Sequence, residues 1–255
     1  MWTIRQEQTE AFRQHHLQKF EDEMVEHLKK FSPKQWKLVG EPDGRRAIRF
    51  GIGQARGYGL TDRGPVRFYI ELMFMFGSYF DTDPQHPWAA TALRNTRVHD
   101  QITRADQLFA AVNEYFLKVV KPERDHLIAA LLAFSRVQIE DYLPSTTNRD
   151  EAMLQCVRST CPLRFEYLGE HVVRKLIRHG TELARAVGFN GDNGVALLVI
   201  LTFVAGHGFS EDPQYWWISQ MLDSQRQPDA GRRYRDLSSR SMLYLEEIAA
   251  GRCED

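Results

Sequence analysis

The sequence predicts an all-α protein made of two tandem helical-bundle repeats, and three observations predict it. The chain aligns with itself at an offset of about 129 residues without a gap; over Pro33–Trp88 laid onto Pro162–Trp217, about nineteen of fifty-six positions are identical, several times what chance gives. Apolar residues recur in the three-and-four rhythm of a helix. Period-two alternation bounded by hairpin turns, the mark of strands, is missing from the pattern.

The matches include Gly40 with Gly169, Glu41 with Glu170, Arg49 with Arg178, Gly51 with Gly180, Arg56 with Arg185 and Gly59 with Gly188. They continue through Gly77 with Gly206, Asp83-Pro84-Gln85 with Asp212-Pro213-Gln214, and Trp88 with Trp217. A repeat of about 86 residues in four helices, preceded by a leading helix, follows from this spacing. The expected units are residues 1–120 and residues 121–255 with a C-terminal tail, related by a pseudo-twofold axis and packed into one body.

Residues 5–31 place Phe12, Phe20, Met24, Val25, Leu28 and Phe31 on one face of an amphipathic leading helix. Ser32-Pro33 restarts the chain with a capping oxygen and a proline where a missing N–H costs nothing, which predicts a short helix to Val39. Gly40 and the Glu-Pro-Asp-Gly stretch then break the chain, and a helix from about Gly44 to Tyr58 stops at Gly59. The central helix is expected from Thr61 to Phe76, closed by Gly77, with its counterpart from Asn190 to Gly206. Nearly every side chain from Val195 to Ala205 is apolar, so that helix must be surrounded.

The best-matched segments follow: FDTDPQHPW and FSEDPQYWW. Asp before Pro is a helix-start signal, so Asp83 and Asp212 are read as caps. Register persists into the last helices, where Arg104, Leu108 and Tyr115 match Arg233, Leu237 and Tyr244. The second leading helix is expected from Pro122 to Leu143, between two prolines, with variable loops at 41–46, 144–150 and after Gln225.

Chemistry is less legible. The nine histidines stand alone or, as His15-His16, point apart on a helix, so no metal is expected. No nucleophile elbow, phosphate loop or dinucleotide fingerprint occurs, and no cofactor or catalytic residue is expected. Gly51 with Ala55, echoed by Gly180 with Ala184, predicts close approach of two helices. Arg49 and Arg56, echoed by Arg178 and Arg185, have the spacing to clamp an anion. Their presence in both halves favours a structural tie to neighbouring helices, and the same argument covers Trp88 and Trp217.

Asymmetry between the halves is where function is sought. Arg67 and Glu71 are spaced to pair along one helix face, whereas the second half has Ala196 and Ile200. Tyr79 stands against Gly208 and His86 against Tyr215. These four first-half residues are the candidate partner-binding positions.

A net charge of −1 gives no electrostatic case for nucleic acid or an acidic membrane. Three cysteines without a paired spacing suit a reducing compartment. The charged N-terminus lacks a signal-peptide core, and the longest apolar run is about twelve residues, short of the roughly twenty of a membrane span. A cytoplasmic protein without membrane insertion is expected.

The opening IRQEQ, the FEDEMVEHL helix, the Gly-x-x-x-Ala-Arg-x-x-Gly turn and the FDTDPxxPWA segment together resemble a family of small bacterial proteins of uncharacterised chemistry. Those proteins are encoded beside the spike, effector adaptors and PAAR-like tip proteins of the type VI secretion system. The chain departs from the family pattern between Trp36 and Arg46. The resemblance implies a cytoplasmic chaperone, co-chaperone or adaptor component, with a secretion effector, adaptor or spike component as protein partner. It carries over no catalytic residue. The alternatives are a cytoplasmic immunity protein that blocks a toxin, which would favour a concentrated charged patch, and an enzyme whose site is assembled from distant residues.

Overall fold

The N-terminal amphipathic pattern forms α1 (Gln6–Phe31), whose Met24, Val25 and Leu28 are buried. Pro33 opens α2 (Pro33–Val39), although the Ser32 side chain makes no cap bond. Gly40, at φ +79°, turns the chain directly into α3 (Glu41–Gly57). The Glu-Pro-Asp-Gly stretch therefore begins a helix where a break was expected. Pro42 sits in a first turn that needs no donor there, and Glu41 and Asp43 suit the positive end of the helix. Gly44 is bare because the Trp36 ring lies against it: an added Cβ would come within 2.6 Å of that ring.

Next come α4 (Arg63–Phe76), α5 (Pro87–Leu93) and α6 (Gln101–Tyr115), the last capped by Asp100, which accepts from the Thr103 N–H. A π turn at Phe116–Val120 continues α6. The computed structural model describes residues 6–120 and 148–250, which are all-α, with no strand among the described residues. The leading helix expected over 122–143 lies outside them.

Ahead of Pro162, the described helix that packs on the second group is α7 (Arg149–Thr160), with Met153, Leu154 and Val157 buried. It starts inside the stretch expected as a loop, because Asn148 caps it by accepting from the Asp150 and Glu151 N–H groups. Then follow α8 (Pro162–Ala186), broken at Gly169 with φ +73°, and α9 (Asp192–Ala205). A short 3-10 turn at Pro213–Tyr215 leads into α10 (Trp216–Leu222) and α11 (Ala230–Ala250). No helix among the described residues is long and apolar enough to cross a membrane.

Two apolar cores result. One gathers Met24, Leu28, Ile48, Tyr69, Ile70, Phe80 and Leu108; the other gathers Met153, Ile177, Val199, Phe203, Phe209 and Leu237. The apolar α9 is buried nearly all round, as its composition requires. Gly51 and Gly180 allow close packing: an added Cβ would fall 2.6 Å from Met73 Sδ in the first core and 2.7 Å from Val199 Cα in the second.

Ionic ties hold α1 and α7. Arg45 bridges Asp22 at 2.7 Å and Glu21 at 3.1 Å across helices, and Glu41 at 3.0 Å along its own. Arg174 does the same with Glu151 at 2.9 Å and Glu170 at 2.8 Å. Arg45→Ala and Arg174→Ala should each lower the melting temperature slightly, by an amount that shrinks as salt rises. Thermal melts at low and high ionic strength check this.

A buried polar seam as candidate functional site

The two helical groups meet along a seam of buried polar side chains, and its bonds are reciprocal. Asp83 Oδ1 accepts from the Gln85 N–H at 2.8 Å, while Oδ2 crosses to accept from the His207 N–H at 2.8 Å. Asp212 Oδ1 accepts from the Gln214 N–H at 2.8 Å and from the Ser78 hydroxyl at 2.6 Å, and Oδ2 accepts from the Ser78 N–H at 2.7 Å. The Gln85 amide donates to the Thr202 carbonyl at 3.0 Å; the Gln214 amide donates to the Met73 carbonyl at 2.8 Å. Each aspartate thus caps its own turn and clamps the opposite group.

Close approach makes this possible. Gly77 (φ +95°) ends α4, and an added Cβ there would lie 2.7 Å from the Ala205 carbonyl oxygen. Gly206 (φ +92°) ends α9, with the Asp83 Oδ2 3.1 Å from the equivalent point. Two backbones meet where neither has a side chain.

The aspartates titrate differently. Burial pushes Asp212 up to about 6, against the pull of its Ser78 and Gln214 bonds, with no cation beside it. At Asp83 burial acts in the same direction, but the His207 hydrogen bond and the neighbouring imidazoles outweigh it and hold the carboxyl below its ordinary value. Burial lowers His86 to about 4, so its ring is neutral at physiological pH.

The candidate partner-binding residues do not form one surface. Arg67 and Glu71 pair at 2.9 Å, and Glu71 also meets His27 of α1 at 2.6 Å, so the expected pair becomes a three-membered tie. Tyr79 packs over Gly208, where a Cβ would fall 2.4 Å from its ring, and beside Phe50 at 5.2 Å. The Tyr79/Gly208 difference is therefore one of packing. His86 is buried, with its ring 4.8 Å from Phe76 and 5.5 Å from Tyr115.

Among the arginines, Arg49 reaches Glu21 at 3.6 Å. Arg56, Arg178 and Arg185 are exposed, and no bond among the described residues holds them. Trp88 is buried, whereas Trp217 is half-buried under Arg240 at 4.8 Å. The tying role belongs to Arg104 and Arg233. Arg104 donates to the carbonyls of Tyr58 and Val98. Arg233 donates to the Leu222 and Val187 carbonyls at 2.8 Å each. Arg233→Met should cost about 2 kcal/mol by stranding two acceptors, which urea denaturation would measure.

Gln85, Gln214, Ser78 and His207 were not singled out from the sequence. Their signal was present in part: the glutamines belong to the longest identical run between the halves, and capping leaves their amides unexplained. Among the described residues no group of three or more His, Cys, Asp or Glu side chains is placed to hold a metal. Comparison with known proteins gave no match: no family model fits the sequence, and no curated protein or solved structure is detectably similar.

Proposed function

We propose that the chain is a non-enzymatic, protein-binding accessory factor acting in the cytoplasm, a chaperone or adaptor component in type VI secretion effector loading, built on an internal duplication. The duplication is supported by element bounds that recur at one offset: α4 begins at Arg63 and α9 at Asp192, α5 at Pro87 and α10 at Trp216, α6 at Gln101 and α11 at Ala230. The crossed bonds of the seam fit a pseudo-twofold relation between the halves. The secretion role rests on the resemblance of the N-terminal motifs.

The observation that carries protein binding is an exposed apolar stripe along α6 that is not repeated at the matching positions of α11. Along α6 and its π turn, Ile102, Phe109 and Leu117 are 49%, 56% and 72% exposed, and Met75 of the neighbouring α4 is also exposed. The corresponding positions on α11 are Gly231, Ser238 and Glu246. An apolar stripe whose matched positions on α11 hold no apolar side chain fits a contact surface particular to α6.

The test is to recover tagged protein from host cytosol, alongside a Phe109→Asp, Leu117→Asp variant that should keep its fold, because Leu117 is mostly exposed and Phe109 touches the core only at its Phe68 edge. A spike, adaptor or effector protein recovered with the parent and lost with the variant supports the reading. A lone toxin domain would indicate an immunity protein, and recovery unchanged in the variant would remove the stripe from the account.

A further inference from the structure

The seam ends in two niches built from corresponding residues, and they differ in how their polar atoms are satisfied. In one, Tyr215, Tyr244 and Gln35 complete one another: the Tyr244 hydroxyl donates to Gln35 Oε1 at 2.9 Å, and the Tyr215 ring lies 5.7 Å from Tyr244. In the other, the same places hold His86, Tyr115 and Arg164. His86 is 5% exposed with a buried Nδ1 that has no partner, and Trp88 is 8% exposed with a buried Nε1 in the same condition. Both rings stand around Tyr115, at 5.5 Å and 5.9 Å, and 5.7 Å from each other.

Arg164 stands at this niche. Its Nη1 is fixed by the Phe203 carbonyl at 2.8 Å and by Gln85 Oε1 at 3.4 Å, and the guanidinium also bonds the Tyr115 hydroxyl. Among the described residues no carboxylate bonds it directly; the Asp83 charge acts on it across Gln85, whose amide lies 3.3 Å from Asp83 Oδ2. An indole N–H can only donate, a guanidinium can only donate, and a neutral imidazole with its proton on Nδ1 donates there as well. The niche thus leaves His86 Nδ1 and the Trp88 N–H without a partner, although buried polar groups are almost always matched.

We propose that His86, Trp88, Tyr115 and Arg164 form a binding site for a small oxyanion, of the carboxylate or phosphate class. The anion accepts from the Trp88 indole and the Arg164 guanidinium, with His86 as the third donor, and the partly exposed Tyr167 and Phe116 pack against Tyr115 on the outer side. Asp83 limits the site to a ligand of low charge. This site does not depend on the secretion reading.

The experiment titrates the full chain with acetate and, separately, inorganic phosphate at constant ionic strength, following thermal stability and the Trp88 indole N–H resonance. Saturable stabilisation with movement of that resonance is expected; which anion binds more tightly assigns the class. Arg164→Gln and His86→Tyr place in this niche the residues of its satisfied counterpart, so both should fold while weakening binding about tenfold or more. The proposal is overturned if neither anion gives a saturable response, if both variants bind as tightly as the parent, or if a crystal grown with the anion shows only water between the two rings.

Discussion

Replacing Gly77 with alanine is expected to destabilise the protein by about 3–5 kcal/mol, a large share of a typical folding free energy. Two costs combine. At φ +95° and ψ 155° the backbone occupies a region that residues with a Cβ essentially avoid. The new Cβ would also meet the Ala205 carbonyl oxygen at 2.7 Å, and that oxygen belongs to the end of a buried helix with no side-chain rotation to relieve the clash. Gly206→Ala should cost less, since its nearest neighbour is the Asp83 carboxylate at 3.1 Å. Gly59→Ala, where the nearest atom is Arg104 Nη1 at 3.7 Å, should cost only the left-handed backbone term of about 1–2 kcal/mol. Urea denaturation of the three variants should return that order; equal losses would refute the close approach of the two backbones.

Asp212→Ala is the second large effect, and its size should depend on pH. The substitution strands the Ser78 and Gln214 N–H groups and the Ser78 hydroxyl, each of which the carboxyl accepts. Burial raises Asp212 from 3.8 to about 6, so the folded state holds its proton more tightly than the unfolded state. Its favourable contribution is then fully present below pH 3.8 and is lost as pH rises through about 6. A shift of that size corresponds to about 3 kcal/mol, so the variant should be penalised more at pH 4 than at pH 7.5 by roughly that amount. His86 works in the opposite sense: lowered from 6.5 to about 4, its contribution is present above 6.5 and lost as pH falls through 4. Taking parent and variant at each pH cancels the His86 contribution. A stability difference that does not change with pH would refute the raised Asp212.

These effects centre on residues whose local role could be read in sequence and whose distant role could not. Gly77 and Gly206 are legible as helix stops, because a glycine after an apolar run marks a C-terminus. That they stop helices facing one another depends on contacts between residues more than a hundred positions apart. Asp83 and Asp212 are legible as turn caps, yet only one carboxylate oxygen serves that purpose. The clue to the other was Gln85 and Gln214, matched in both halves without a local task. The helix order followed from periodicity, while Glu41-Pro42-Asp43-Gly44 misled: turn-forming residues also suit a first helical turn. Arg56 and Arg178 show the limit of matched positions, since identity at an exposed site does not require a bond. The His86 niche escaped because its contrast with Tyr215 has meaning only beside Arg164 and Gln35, which no local pattern links.

The crossed amides have a consequence for how the chain acquires its structure. The Gln214 amide reaches Met73 across 141 residues of sequence, and Asp83 reaches the His207 N–H across 124. A nascent chain that has only its first group of helices carries the Ser78 N–H without its eventual acceptor, and the Met73 carbonyl with the Gly77 N–H but not yet the Gln214 amide. Such a half retains an apolar core but leaves its helix end uncompensated, so the last kilocalories of order arrive only with the second group. The seam can therefore be completed only late in synthesis, and severed halves become candidates for reassembly in trans, each supplying the polar atoms the other lacks.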